Sequence, residues 1–194
     1  MDRKKFMKDY FKKNTKGAES FDEYQQQDHE RAILRAKNIF GLEMNDANEL
    51  NPLVICYPEA FFEGGTVKFK YGKAADKVRY NNARVNVLLF GKTHLFFYSA
   101  LLDYEAAQIA NDYGLEVAYK NIVTVETLNE TIIEENSVHQ RVSLDVSFVD
   151  GGQITVRLKD VVSKDTVDND HVAIDDDTLV LINDVRKLIR RKQA

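Results

Sequence analysis

The sequence contains one cysteine, no tryptophan, two prolines and four histidines in 194 residues. A single cysteine excludes any disulfide within the chain. Cys56 sits in the apolar run "LVICY" with no basic neighbour to lower its thiol pKa, so it reads as a small buried hydrophobe. The histidines, His29, His94, His139 and His171, are widely separated and make no HExxH or His-x-His spacing, so no metal or cofactor is expected. His94, in the turn before an aromatic strand, reads as a hydrogen-bonded turn residue. The Gly91-Lys92-Thr93 triplet lacks the upstream glycine of a phosphate loop, and no nucleophile stands beside a base. The reading is therefore not an enzyme. No apolar run approaches the ~20 residues of a spanning helix, and the basic start "MDRKKFMKDYFKKN" lacks the apolar centre of a signal peptide. A cytoplasmic protein is expected. Positive charge is not in excess either: the net charge is -4, which gives no reason to expect nucleic acid.

What is present is a composition of 44% hydrophobic and 30% charged residues, suited to one folded domain with an appendage. Residues 1–50 read as an N-terminal helical extension. Phe6, Met7, Tyr10 and Phe11 fall at i, i+1, i+4 and i+5 and form one apolar stripe opposite lysines. In "SFDE", Ser20 and Glu23 have the spacing of a capping box, which predicts a second helix from about Phe21 to Phe40, stopped at Gly41. From residue 51 to 194 the period changes to two. "LVICY", "GTVKFKYG", "KVRYNNARVNVLLFG", "THLFFYSALL", "LEVAYKNIVTVETL" and the hairpin "VSLDVSFVDGGQITVRLKD" all alternate, with turns at Gly91-Lys92 and Asp150-Gly151-Gly152. Residues 164–177 read as an acidic, solvated connector. The final segment places Leu181, Ile182, Val185, Leu188 and Ile189 on one helical face, with aspartates before them and Arg and Lys after, as the helix dipole prefers.

Seven antiparallel strands followed by one helix is the plan of the pleckstrin-homology-like fold. "VNVLLFGKTHLFFYSALL", followed by "VAYKNIVTVETL" with Tyr119, Ile122 and Val125 in a Tyr-x-x-Ile-x-x-Val pattern, resembles the bacterial PH-like and GRAM-like families over about residues 65 to 192. Many eukaryotic PH domains carry a tryptophan in the last helix, which this chain lacks. The resemblance implies an α+β, mainly β fold: a seven-stranded antiparallel barrel corked by the C-terminal helix. It also implies a binding role. Lys70 followed by Lys77-Val78-Arg79 looks like the Lys-x(n)-Lys-x-Arg signature by which phosphoinositide-binding PH domains hold head groups. Alternation places Lys77 and Arg79 on one face, where two cations can clamp a phosphate.

Two functional expectations follow. One is a non-catalytic binding or assembly module that contacts a protein partner or a second copy of itself, with Phe6, Met7, Tyr10 and Phe11 as contact residues. The other is a peripheral module that holds the anionic lipid head groups of a membrane surface through Lys70, Lys77 and Arg79.

Overall fold

The computed structural model describes residues 2–12, 17–42, 52–62, 64–71, 78–134, 137–163 and 174–194, with the backbone alone at 71, 133, 134, 137–139 and 161–163. It is an α+β protein, dominated by antiparallel sheet, with three helices among the described residues. These are α1 (Arg3–Tyr10), α2 (Ala18–Ile39) and α3 (Asp176–Gln193). The strands are β1 (Leu53–Pro58), β2 (Phe69–Tyr71), β3 (Val78–Tyr80), β4 (Asn82–Phe90), β5 (His94–Asp103), β6 (Gln108–Ala118), β7 (Ile122–Glu134), β8 (Ser137–Phe148) and β9 (Gln153–Ser163). None of the described helices is long and apolar enough to cross a membrane.

The strands do not close into the seven-stranded barrel expected from the sequence. They make three open sheets, ordered β1-β4-β5-β6, β2-β3 and β7-β8-β9. A barrel needs one hydrogen-bond ladder running round to its start. Here the ladder is interrupted, and one cause is Asn81. Its side-chain oxygen accepts the Lys68 N–H at 2.7 Å, and its backbone carbonyl accepts the Tyr104 N–H at 2.9 Å. The run read as one strand from 77 onward is thereby split into β3 and β4. After β5 a tight turn leads directly into β6 at Gln108.

The chain divides into two compact units, residues 1–91 with 96–116 and residues 92–95 with 117–194. In the first, period two along β4 and β5 puts Ala83, Val85, Val87 and Leu89 beside Phe96, Tyr98, Ala100 and Leu102 in one buried cluster. The apolar faces of α1 and α2 complete it with Phe6, Met7, Tyr10, Phe21, Ala32 and Ala36. Charged staples pin the helices at its rim. Arg3 forks onto the buried Asp28 and donates to the Tyr104 carbonyl at 3.1 Å, while Arg31 reaches Asp28 at 3.0 Å.

Helix α2 starts earlier than the predicted capping box. Its N-cap is Gly17, with no side-chain cap, and Ser20 and Glu23 lie inside the helix. The reason is steric. Gly17 has φ +120°, and a Cβ there would stand 2.9 Å from the Phe6 ring, so only glycine permits this entry. At the other end the helix stops as expected, with Gly41 at φ +63°.

In the second unit, β8 contributes buried Val142, Leu144, Val146 and Phe148, and β9 contributes Ile154 and Val156. Helix α3 buries Ile182, Val185 and Ile189 at i, i+3 and i+7. Asp175 caps it, accepting the Thr178 N–H at 2.9 Å and holding Lys159 at 2.7 Å; these contacts keep its carboxyl well below the usual range. The last turns of α3 are tied down by Gln193, whose Nε2 donates to the Tyr119 and Ile122 carbonyls at 3.1 and 2.9 Å.

Candidate functional site

Of the three basic residues singled out in the sequence, Lys77 lies outside the described residues. Lys70 and Arg79 are cross-strand partners in the β2-β3 pair, so the structure does bring them together. Both are turned to the chain's own groups. Arg79, 8% exposed, makes a two-pronged ion pair with Asp22 of α2, at 2.9 Å from Nε and 2.8 Å from Nη2. That hydrogen-bonded carboxylate raises the guanidinium pKa against the opposing effect of burial. Lys70 Nζ donates to the Tyr10 carbonyl at 2.8 Å and stands 4.0 Å from the centre of the Tyr10 ring. Burial first, and the neighbouring Arg79 second, lower its pKa.

The apolar candidates of the N-terminal stripe also point inward. Phe6, Met7 and Tyr10 are at most 5% exposed, and Phe11 packs against the same cluster. Tyr10 stacks on Phe21 at 5.1 Å, and Phe11 meets Phe21 edge-on at 5.7 Å. Their neighbours are side chains of the first unit itself.

The first unit also holds a histidine and a thiol in contact. His29 Nε2 is 3.1 Å from both Cys56 Sγ and the Tyr104 hydroxyl. This spacing is that of a Cys-His pair, but the surroundings hold the thiol protonated. Burial pushes the Cys56 thiol up to about 12 and the Tyr104 phenol well above its ordinary value. Both groups therefore keep their protons at neutral pH. A thiol in that state is not a nucleophile.

Burial lowers the His29 pKa, with nearby Asp28 opposing. The folded state thus keeps His29 neutral where the unfolded chain, with an ordinary pKa of about 6.5, takes up a proton. Stability should fall as pH drops below that value and level off below the depressed folded pKa. Urea midpoints followed across this window should show a decline that is smaller in His29→Gln; an identical pH profile in the variant would refute the assignment.

The second unit carries a different arrangement. Arg186, Ile189, Arg190 and Gln193 lie at i, i+3, i+4 and i+7 on α3 and therefore share one face. Facing them are Ile122, Val123 and Val125 at the start of β7, and the two sides enclose an open cleft of about 180 Å³. Ile122, Val125 and Ile189 supply apolar walls. Arg186 donates from Nη2 to the Val125 carbonyl at 3.3 Å, using one of its five N–H donors. Arg190 is exposed, and its guanidinium has no hydrogen-bond or ion-pair partner among the described residues.

The Arg186 contact also fixes the orientation of the strand. Because the Val125 carbonyl accepts from α3, it points away from β8. Alternation along β7 then turns the backbone N–H and C=O of Thr127 and Thr131 to the same outer side. Among the described residues β7 has a strand neighbour on one side only, β8, to which it pairs from Ile122 to Glu134. Its apolar side chains stay partly uncovered: Val123 is 62% and Leu128 44% exposed. Sequence reasoning passed over Arg186 and Arg190 because cations in a last helical turn are fully accounted for by the helix dipole. Their i, i+4 spacing was the available signal.

No family model, curated protein or solved structure matches the chain.

Proposed function

We propose that the chain is a non-catalytic binding module of pleckstrin-homology-like plan, which captures an extended segment of a protein partner along the outer edge of β7. The plan is supported by the succession of antiparallel strands closed by one C-terminal helix. The observation that carries the binding role is the one-sided pairing of β7 among the described residues, with Thr127 and Thr131 turning main-chain groups outward beside exposed Val123. A long strand edge of this kind is a ready template for another strand. Main-chain hydrogen bonds supply affinity in such strand addition, and alternate side chains supply specificity. The lipid-clamp reading is less favoured, because Arg79 is already neutralised by Asp22.

The test begins with random nonapeptides displayed on phage and selected on the immobilised full chain. Enriched peptides, titrated into isotope-labelled protein, should shift the amide signals of Val125, Thr127 and Thr131. Thr127→Pro removes an outward donor without removing a bond to β8. The Thr127 hydroxyl itself has no hydrogen-bond partner among the described residues. The substitution should weaken binding about tenfold with far-UV circular dichroism unchanged. If that variant does not fold, Thr131→Pro, at an exposed position, carries the same test. Peptide-induced shifts confined to residues outside β7, or full affinity in a folded proline variant, would reject the proposal.

A further inference from the structure

We infer that the cleft between α3 and the start of β7 is an anion subsite, and that the segment added to β7 carries a carboxylate which Arg186 and Arg190 receive. This inference rests on the strand-addition reading above and names the chemistry of its partner.

The lining contains two guanidinium groups one helical turn apart and no carboxylate. Like charges at i, i+4 on a helix repel, and here neither is offset by an acidic side chain among the described residues that line the cleft. Arg186 keeps four of its N–H donors beyond the one given to Val125. Arg190 brings five more.

A planar carboxylate set between two such forks accepts several short charge-assisted bonds at once. Ile122, Val125 and Ile189 bring no polar side chain to compete for those bonds. Size restricts the ligand: at about 180 Å³ the cleft falls below the ~300 Å³ at which pockets for whole small molecules begin. It suits one charged group at the end of a side chain or a peptide.

Position ties the subsite to the strand edge. Val125 lines the cleft and precedes Thr127 and Thr131 on the same strand, so a segment paired alongside them leads directly to the two arginines. The preference cannot come from the protein as a whole, because its net charge of -4 repels an acidic peptide at long range.

Two acetylated, fluorescently labelled nonapeptides decide the matter, one alternating threonine with glutamate and the other threonine with glutamine, each titrated into the full chain. The glutamate peptide should bind about tenfold tighter, and the ratio should shrink as salt is raised. Arg190→Gln, at an exposed position that leaves the fold alone, should bring the two affinities together without changing that of the glutamine peptide. Inorganic phosphate should compete with the glutamate peptide and leave the glutamine peptide in place. Equal affinity of the two peptides for the native chain would overturn the anion subsite while strand addition stood. Binding of neither peptide, in a chain that also enriches none from the phage library, would overturn both.

Discussion

Phe21→Ala is expected to lower the unfolding free energy of the first unit by about 4 kcal/mol. The side chain is fully buried, stacks on Tyr10 at 5.1 Å, and presents its edge to Phe11 and Tyr104 at 5.7 and 6.0 Å. Truncation leaves a cavity walled by rings that cannot collapse into it, and it also forfeits the aromatic contacts. Since the chain has no tryptophan, urea unfolding followed by far-UV circular dichroism is the suitable measurement. Leu34→Ala on the same helix, at a position 56% exposed, should change stability by no more than about 0.5 kcal/mol. If the two substitutions proved equally mild, α2 would not be part of the core of this unit.

Asp22→Ala is expected to cost about 2 to 3 kcal/mol, because it strands the Arg79 guanidinium in a nearly closed site. The figure sits below that of a fully buried pair because the Asp22 side chain is 34% exposed. The neighbourhood makes the loss worse, since Lys70 adds a second cation across the β2-β3 pair. Replacing Arg79 by methionine in the same chain should recover part of the loss. A double-mutant cycle would show this as a coupling between the two positions. Simple additivity would mean that the ion pair contributes nothing.

Much of the architecture could be read from periodicity and turn chemistry. The strands flanking Gly91, the hairpin around Asp150-Gly151-Gly152, the stop of α2 at Gly41 and the buried stripe of α3 all appear where local pattern places them. These features depend on residues close together in sequence. What escaped depends on distant ones. Period two says which side chains share a face, but not which strand lies beside which, so it does not separate a closed barrel from an interrupted set of open sheets. The start of α2 was misplaced because Ser20 and Glu23 satisfy a local rule, whereas the Phe6 ring, eleven positions before Gly17, decides where the helix begins.

The basic patch illustrates the same limit for function. Lys70 and Arg79 were legible as cations on neighbouring strands, yet the carboxylate that occupies Arg79 comes from Asp22, 57 residues away. The apolar stripe of α1 was recognised as a surface seeking cover, and the sheet of its own unit supplies that cover. The cleft at Arg186 and Arg190 required the opposite face, at Ile122 to Val125, to be known before two ordinary helix-end arginines could gain meaning.

The sulfhydryl held against His29 has a practical side. As the chain's sole cysteine, Cys56 offers one place for an alkylating reagent to react, and that place lies in the first unit. The thiol is only partly buried, but its proton is firmly retained, so the folded unit reacts slowly at neutral pH for want of thiolate. The alkylation rate therefore reports on the surroundings of that one thiol in the first unit.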